Sequence, residues 1–248
     1  MLDPVDAEPW LVELSHVVDM LRCHEESDVA VILVGSAARG VRGEASDIDL
    51  LVVRKNRPKI PKSVSGYHIQ LASEADFMRN LSAGEDFEAW CVRFGKTLYD
   101  DGIWARIKSS PAASAWPKWQ VKVTHGARRL FLATALLGTG DIDAAIEETV
   151  YALGHAARGI LIRASVFPLS RPELAAQVSE AGFPHLADIH EKLRDGTNVS
   201  LHDLRLAQLY CKKLLCHIDS GTYGKYAKEF VLTRTAKKAE HAARFSTH

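Results

Sequence analysis

Two short stretches carry the side chains best suited to chemistry: Gly35-Ser36-Ala37-Ala38-Arg39-Gly40, and Ser46-Asp47-Ile48-Asp49-Leu50-Leu51-Val52-Val53. A turn of small residues follows one apolar run, and two carboxylates then open another. Side chains alternate between faces along a strand, so Asp47 and Asp49 share one face while Ile48 and Leu50 turn to a core. Two carboxylates on one face call for a cation. The turn before them can offer backbone N–H groups and the Ser36 hydroxyl to an anion, and phosphate oxygens carrying a divalent metal satisfy both halves together.

The combined pattern, Gly-Ser-x-x-Arg-Gly and then Ser-Asp-x-Asp-Leu, resembles the signature of the DNA polymerase β type nucleotidyltransferases, in particular the minimal nucleotidyltransferases and their antibiotic-adenylylating relatives. The resemblance extends over about the first 110 residues. It implies an enzyme that moves a nucleoside monophosphate, by default AMP from ATP, onto an acceptor hydroxyl. Mg²⁺, with Mn²⁺ as the other choice, would be held by Asp47 and Asp49, and the triphosphate by Gly35, Ser36, Arg39, Gly40 and Ser46. Each role suits its residue type. A glycine lets backbone approach phosphate, a serine donates a hydrogen bond, an arginine supplies a forked cation, and the metal offsets charge gathering on the pyrophosphate.

The chain departs from that family at one place. Members carry a third carboxylate on a neighbouring strand, whereas the run Tyr67-His68-Ile69-Gln70-Leu71-Ala72 puts His68 in that slot with Gln70 on the same face. Imidazole serves as a base near neutral pH and can bind a metal, though Mg²⁺ prefers oxygen. Three readings stay open: His68 is the general base, another residue is, or transfer activity is weak or lost. The last leads to a different class of function, a nucleotide-binding regulatory, antitoxin or defence-associated partner protein.

The elements that must position these residues follow from periodicity. Helical spacing of Trp10, Leu11, Leu14, Val17, Val18 and Leu21 predicts an amphipathic helix over about 7–22. Val29 to Val34 and Asp47 to Val53 read as buried strands, Tyr67 to Ala72 as a third, and Thr97 to Tyr99 as a short edge strand. Glu74 to Leu81 and Asp86 to Phe94 read as helices. Arg54 to Lys62, with Pro58 and Pro61, reads as a stiff basic loop, suited to a triphosphate or a nucleic acid or simply to solvent.

The small, proline-containing run from Ser109 to Ala115 reads as a linker. Beyond it the pattern turns helical: Trp119 to Leu137, Ile142 to Val166, Pro172 to Glu180, His185 to Leu193 and Leu201 to Asp219, with Asp141 and Ser200 as N-caps. The fold class is therefore α+β, a small mixed-sheet domain at 1–110 followed by an all-α bundle at 116–220 and a basic tail at 221–248. The order of helices is similar to the HEPN-type or substrate-binding domains often fused to minimal nucleotidyltransferases. The closely spaced Arg and His of HEPN ribonucleases do not occur, which disfavours RNA cleavage.

On the second long helix Glu147, Tyr151, His155 and Arg158 form a polar stripe opposite Ile146, Val150, Leu153 and Ile160. In the antibiotic-adenylylating relatives a carboxylate from the helical domain activates the acceptor, sometimes across a dimer, which makes Glu147 a second candidate base. A solvated helix face with ordinary charge pairs is the plainer use.

Thirty-one basic and 31 acidic residues cancel, so no global field draws in nucleic acid, and contact with it falls to the basic loop and the tail. Cys23, Cys91, Cys211 and Cys216 are scattered without a paired motif, which argues against a disulfide framework or a zinc knuckle. The apolar runs are too short to span a bilayer, and the N-terminus lacks a cationic, apolar signal region, so the chain reads as cytoplasmic. The partners expected are a nucleoside triphosphate, a small-molecule, protein or RNA acceptor, and a second copy or partner protein.

Overall fold

The computed structural model describes residues 16–19, 28–43, 47–56, 63–64, 66–195 and 199–245, with side chains for all of these except 63–64 and 229–245. The chain divides into two compact units, one of Met1–Pro117 with Ser170–Pro172, the other of Lys118–Leu169 and Glu173–His248.

The first unit is built on a five-stranded mixed sheet. Its strands are β1 (Val29–Val34), β2 (Ile48–Arg54), β3 (Ser63–Val64), β4 (Tyr67–Ser73) and β5 (Lys96–Asp100), in the spatial order β3-β4-β2-β1-β5. The β-branched run of β1 is buried along its whole length, as a central strand covered on both faces requires. It pairs antiparallel with β2, setting Val34 opposite Asp49. β2 in turn pairs parallel with β4, setting Asp49 opposite His68. These two registers gather the end of β1 and the starts of β2 and β4 at one end of the sheet.

Helices α1 (Gly35–Arg39), α2 (Glu74–Ala83), α3 (Asp86–Phe94) and α4 (Ile103–Ser109) accompany the strands among the described residues. Ser73 caps α2 by accepting from the Asp76 N–H at 3.0 Å. Asp100 performs the same service for α4, accepting from the N–H groups of Gly102, Trp104 and Ala105 at 2.8 to 3.0 Å. The core joins Ile32, Leu50, Leu51 and Ile69 from the sheet to Phe77, Leu81, Trp104 and Ile107 from helices, all essentially inaccessible to water. Phe77 and Trp104 meet edge to face at 5.4 Å, the arrangement ring quadrupoles favour. Lys96 and Thr97 stand exposed on β5, so a charge guards that sheet edge.

The second unit is a helical bundle of α5 (Trp119–Thr139), α6 (Ile142–Arg163), α7 (Arg171–Glu180), α8 (Pro184–Asp195) and α9 (Leu201–Phe245). Val123, Ala127, Leu153, Ala156, Leu161, Cys211 and Leu215 make its core. Gly126 brings α9 close to α5: a Cβ there would lie 2.7 Å from Leu215 Cδ2. Inside, Thr149 Oγ1 donates to the Ala145 carbonyl and accepts from Gln208 Nε2, so a fully buried hydroxyl is satisfied and α9 is tied to α6. Asp141 and Ser200 are N-caps, the latter in a reciprocal pair with Asp203. The bond from Ser200 and the Lys192 ammonium hold the Asp203 carboxyl down at about 2.

The α+β class read from the sequence is the class observed, and several details differ. Arg54 is not in a loop but is the buried last residue of β2, because the strand runs on under the helices. β3 is an added two-residue strand, antiparallel to β4 across Gly66, whose φ of 77° suits a tight turn. Within the run read as a linker, Pro111–Ser114 forms a turn of 3-10 helix. The basic tail is helical as far as Phe245, continuing α9 past a kink at Asp219, where φ is −161° and ψ is 94°. There the Asp219 carboxylate accepts from the Thr222 N–H and hydroxyl, both at 2.9 Å, and so starts the next helical stretch. Of the helix read at 7–22 only 16–19 are described, and they are helical; residues 57–62 of the basic loop lie outside the described residues.

Candidate active site

Gly35 ends β1 and begins α1 with φ at 68°, a conformation that costs a side chain dearly. It also has no room for one, since a Cβ at Gly35 would collide with Asp49 Oδ2 and lie 3.2 Å from the Asp49 Cβ and Cγ. The turn is thus closed onto the carboxylate. Val34, the N-cap of α1, provides no side-chain hydrogen bond to the helix start. At the other end Gly40 is left-handed with φ at 73°, and the N–H groups of Gly40 and Val41 return to the Ala37 and Ser36 carbonyls.

Asp49 is held from the other side by β4. His68 Nδ1 lies 3.0 Å from Asp49 Oδ1, and since an ionised carboxylate only accepts, the imidazole N–H donates. Both side chains remain open to water, 53% exposed for His68 and 34% for Asp49. One carboxylate oxygen therefore faces the glycine turn and the other faces an imidazole, at the solvent-facing end of an otherwise buried strand. Asp47 precedes β2 and is exposed. Gln70 follows His68 by two residues, which puts it on the same face of β4.

Arg39 closes α1, with its guanidinium 5.0 Å from the centre of the Phe94 ring. Stacking on an aromatic leaves the edges of a guanidinium available for hydrogen bonds. Ser46 lies outside the described residues. Among the described residues no three His, Cys, Asp or Glu side chains form a group able to hold a metal ion. The Asp49 and His68 pair does fit a divalent cation in its donor atoms and in their spacing, with substrate oxygens and water left to complete the shell.

In the helical unit Glu147 is exposed on α6. Tyr151 and His155 of its stripe meet α5, while Arg158 donates to the Leu169 carbonyl at 3.4 Å. The Arg129 guanidinium lies 4.9 Å from the Tyr151 ring centre and donates to both oxygens of Glu148 at 2.8 and 2.9 Å, while His155 meets His125 edge to face at 5.3 Å. Much of the polar face is thus used in packing two helices together. Trp116 stacks under the Arg93 guanidinium at 5.2 Å, and Trp119 packs on the bundle core.

The first unit is thus a mixed-sheet α+β domain with a glycine turn after its first strand and a carboxylate closed against that turn. Residues 19–102, less than half of the chain, match the family described as "Nucleotidyltransferase domain". The chain is also similar to the solved structure of a nucleotidyltransferase-like protein from Exiguobacterium sibiricum, at 16% identity over 88% of this chain and 77% of that one, with a TM-score of 0.44. No curated protein sequence matches the chain. Among the described residues no helix is long and apolar enough to cross a membrane.

Proposed function

We propose that this protein is a metal-dependent nucleotidyltransferase that moves a nucleoside monophosphate, by default AMP from ATP, to an acceptor hydroxyl on a small molecule, a protein or an RNA. The observation that carries the reading is the seating of the Asp49 carboxylate directly on the Gly35 turn, which joins a cation-binding group to an anion-binding one. When bound, a divalent cation would offset the charge developing on the triphosphate. Asp49 and Asp47 would hold that cation. Gly35 admits the phosphates close to backbone, Ser36 donates to them, and Arg39, steadied on Phe94, adds a forked positive charge. Gly40 sets the exit of the turn, and Ser46, by its place in the sequence motif, is a further phosphate donor. Two groups suit the task of taking the acceptor proton, His68 beside Asp49 and Glu147 on the helical unit.

The test is to incubate the protein with each α-labelled nucleoside triphosphate, Mg²⁺ or Mn²⁺, and pools of aminoglycosides, proteins and RNA, beside the Asp47→Asn, Asp49→Asn double variant. Label should pass from one triphosphate to one acceptor class and stop in the double variant. Transfer that survives the double substitution overturns the assignment.

A further inference from the structure

We propose that His68 is a metal ligand, and that its imidazole shifts the cation preference of the site from Mg²⁺ toward a divalent transition metal. This rests on the reading of Asp49 as a metal-binding carboxylate and goes beyond it. The parallel pairing of β2 and β4 puts His68 directly beside Asp49, and the two side chains meet through Nδ1 and Oδ1 at 3.0 Å. An octahedral cation with bonds of about 2.1 Å holds adjacent donors about 3.0 Å apart, the separation already present between Nδ1 and Oδ1, so a rotation of the exposed imidazole would turn Nδ1 from Asp49 toward a cation that both side chains share. The proton then resides on Nε2, the other tautomer of the neutral ring. Both side chains are open to solvent, which lets a cation and a triphosphate reach them.

The donor set decides the metal. Mg²⁺ takes oxygen ligands and yields its water reluctantly, whereas an imidazole nitrogen beside a carboxylate favours first-row transition ions. Among the described residues no further His, Cys, Asp or Glu side chain is grouped with this pair, so beside Asp49 and the proposed ligand Asp47 the imidazole nitrogen counts heavily in a small protein donor set. With Nδ1 on the metal and the ring proton on Nε2, His68 is not the general base.

Mn²⁺ is the probe, added to the full chain alone and then with a non-hydrolysable nucleoside triphosphate, and followed by electron paramagnetic resonance. Bound Mn²⁺ should show the nitrogen coupling of a directly ligated imidazole, and Mg²⁺ should displace it only at about tenfold or greater excess. His68→Ala should abolish the coupling and weaken Mn²⁺ binding about tenfold or more, while His68→Asp should narrow the preference over Mg²⁺. Circular dichroism establishes that each variant is folded. Mn²⁺ that binds without nitrogen coupling, or with coupling that survives His68→Ala, and is lost in Asp49→Asn, overturns the imidazole ligand and leaves the transferase reading intact. Absence of saturable Mn²⁺ binding even with the triphosphate present overturns both.

Discussion

Asp49 occupies the space that a side chain on residue 35 would need. Its Oδ2 blocks the Cβ position of Gly35, while its Oδ1 accepts from His68 Nδ1 at 3.0 Å. A single carboxylate therefore links the glycine turn to the neighbouring strand, and any change at residue 35 is felt at the candidate metal ligand.

Gly35→Ala should both destabilise the first unit and end transfer. The left-handed backbone and the overlap with Asp49 together cost about 2–4 kcal/mol. Gly140 is the control: its φ is 85° with nothing within 4 Å of an added Cβ, so Gly140→Ala should lose only about 1 kcal/mol. Denaturant melts of the two variants make the comparison, and equal losses would mean the Gly35 turn is not closed onto Asp49.

Of the two acids, Asp49 should matter more for turnover, since it alone of the pair is seen bonded to His68 and pressed against the turn. Asp49→Asn should lower the rate on the order of 10²–10³-fold, and Asp47→Asn by less. The measurement is single-turnover label transfer at saturating triphosphate.

If Glu147 takes the acceptor proton, Glu147→Gln should slow turnover much more than it weakens triphosphate binding, as read by single-turnover label transfer beside triphosphate titrations. A full rate in this variant assigns the proton to another group.

Glu88 supplies a pH test of the fold itself. It is buried on α3, where desolvation raises its pKa even though Asn80 Nδ2 donates to it at 2.9 Å. A carboxyl whose folded pKa exceeds its unfolded value of 4.5 binds protons more tightly when folded, so its share of stability is full below pH 4.5 and falls as pH rises through the folded pKa. Glu88→Gln keeps an oxygen for Asn80 and has no charge to bury. The variant should be the more stable protein at pH 7, with the difference shrinking toward pH 4, as read by thermal melts across that range.

At the kink of α9, Asp219→Ala removes the acceptor of both Thr222 bonds and should cost about 1 kcal/mol. Those bonds, the backbone N–H of Thr222 foremost, also hold the Asp219 carboxyl below its ordinary value of 3.8. The cap is therefore present above that pH and lost as pH falls through the lower folded value, so wild type and Asp219→Ala should converge in strong acid.

Periodicity made the sheet and helices of this chain legible, because strand and helix burial leave repeats of two and 3.6 in the residues themselves. It brings Asp47 and Asp49 onto one face, marks Ser200 as a cap, and ends β1 at a glycine. It does not carry pairing. Ser63–Val64 is too short to show an alternation, and a helical tail with many cations looks like a solvated terminus until Asp219 is seen restarting the helix. The contact between Asp49 and His68 spans 19 residues and exists only because β2 and β4 pair in parallel in this register. A shift of one residue would turn His68 to the opposite face. The residue types at the candidate site were written in the chain, and their meeting was decided by hydrogen bonding between strands and by a glycine with no room for a side chain.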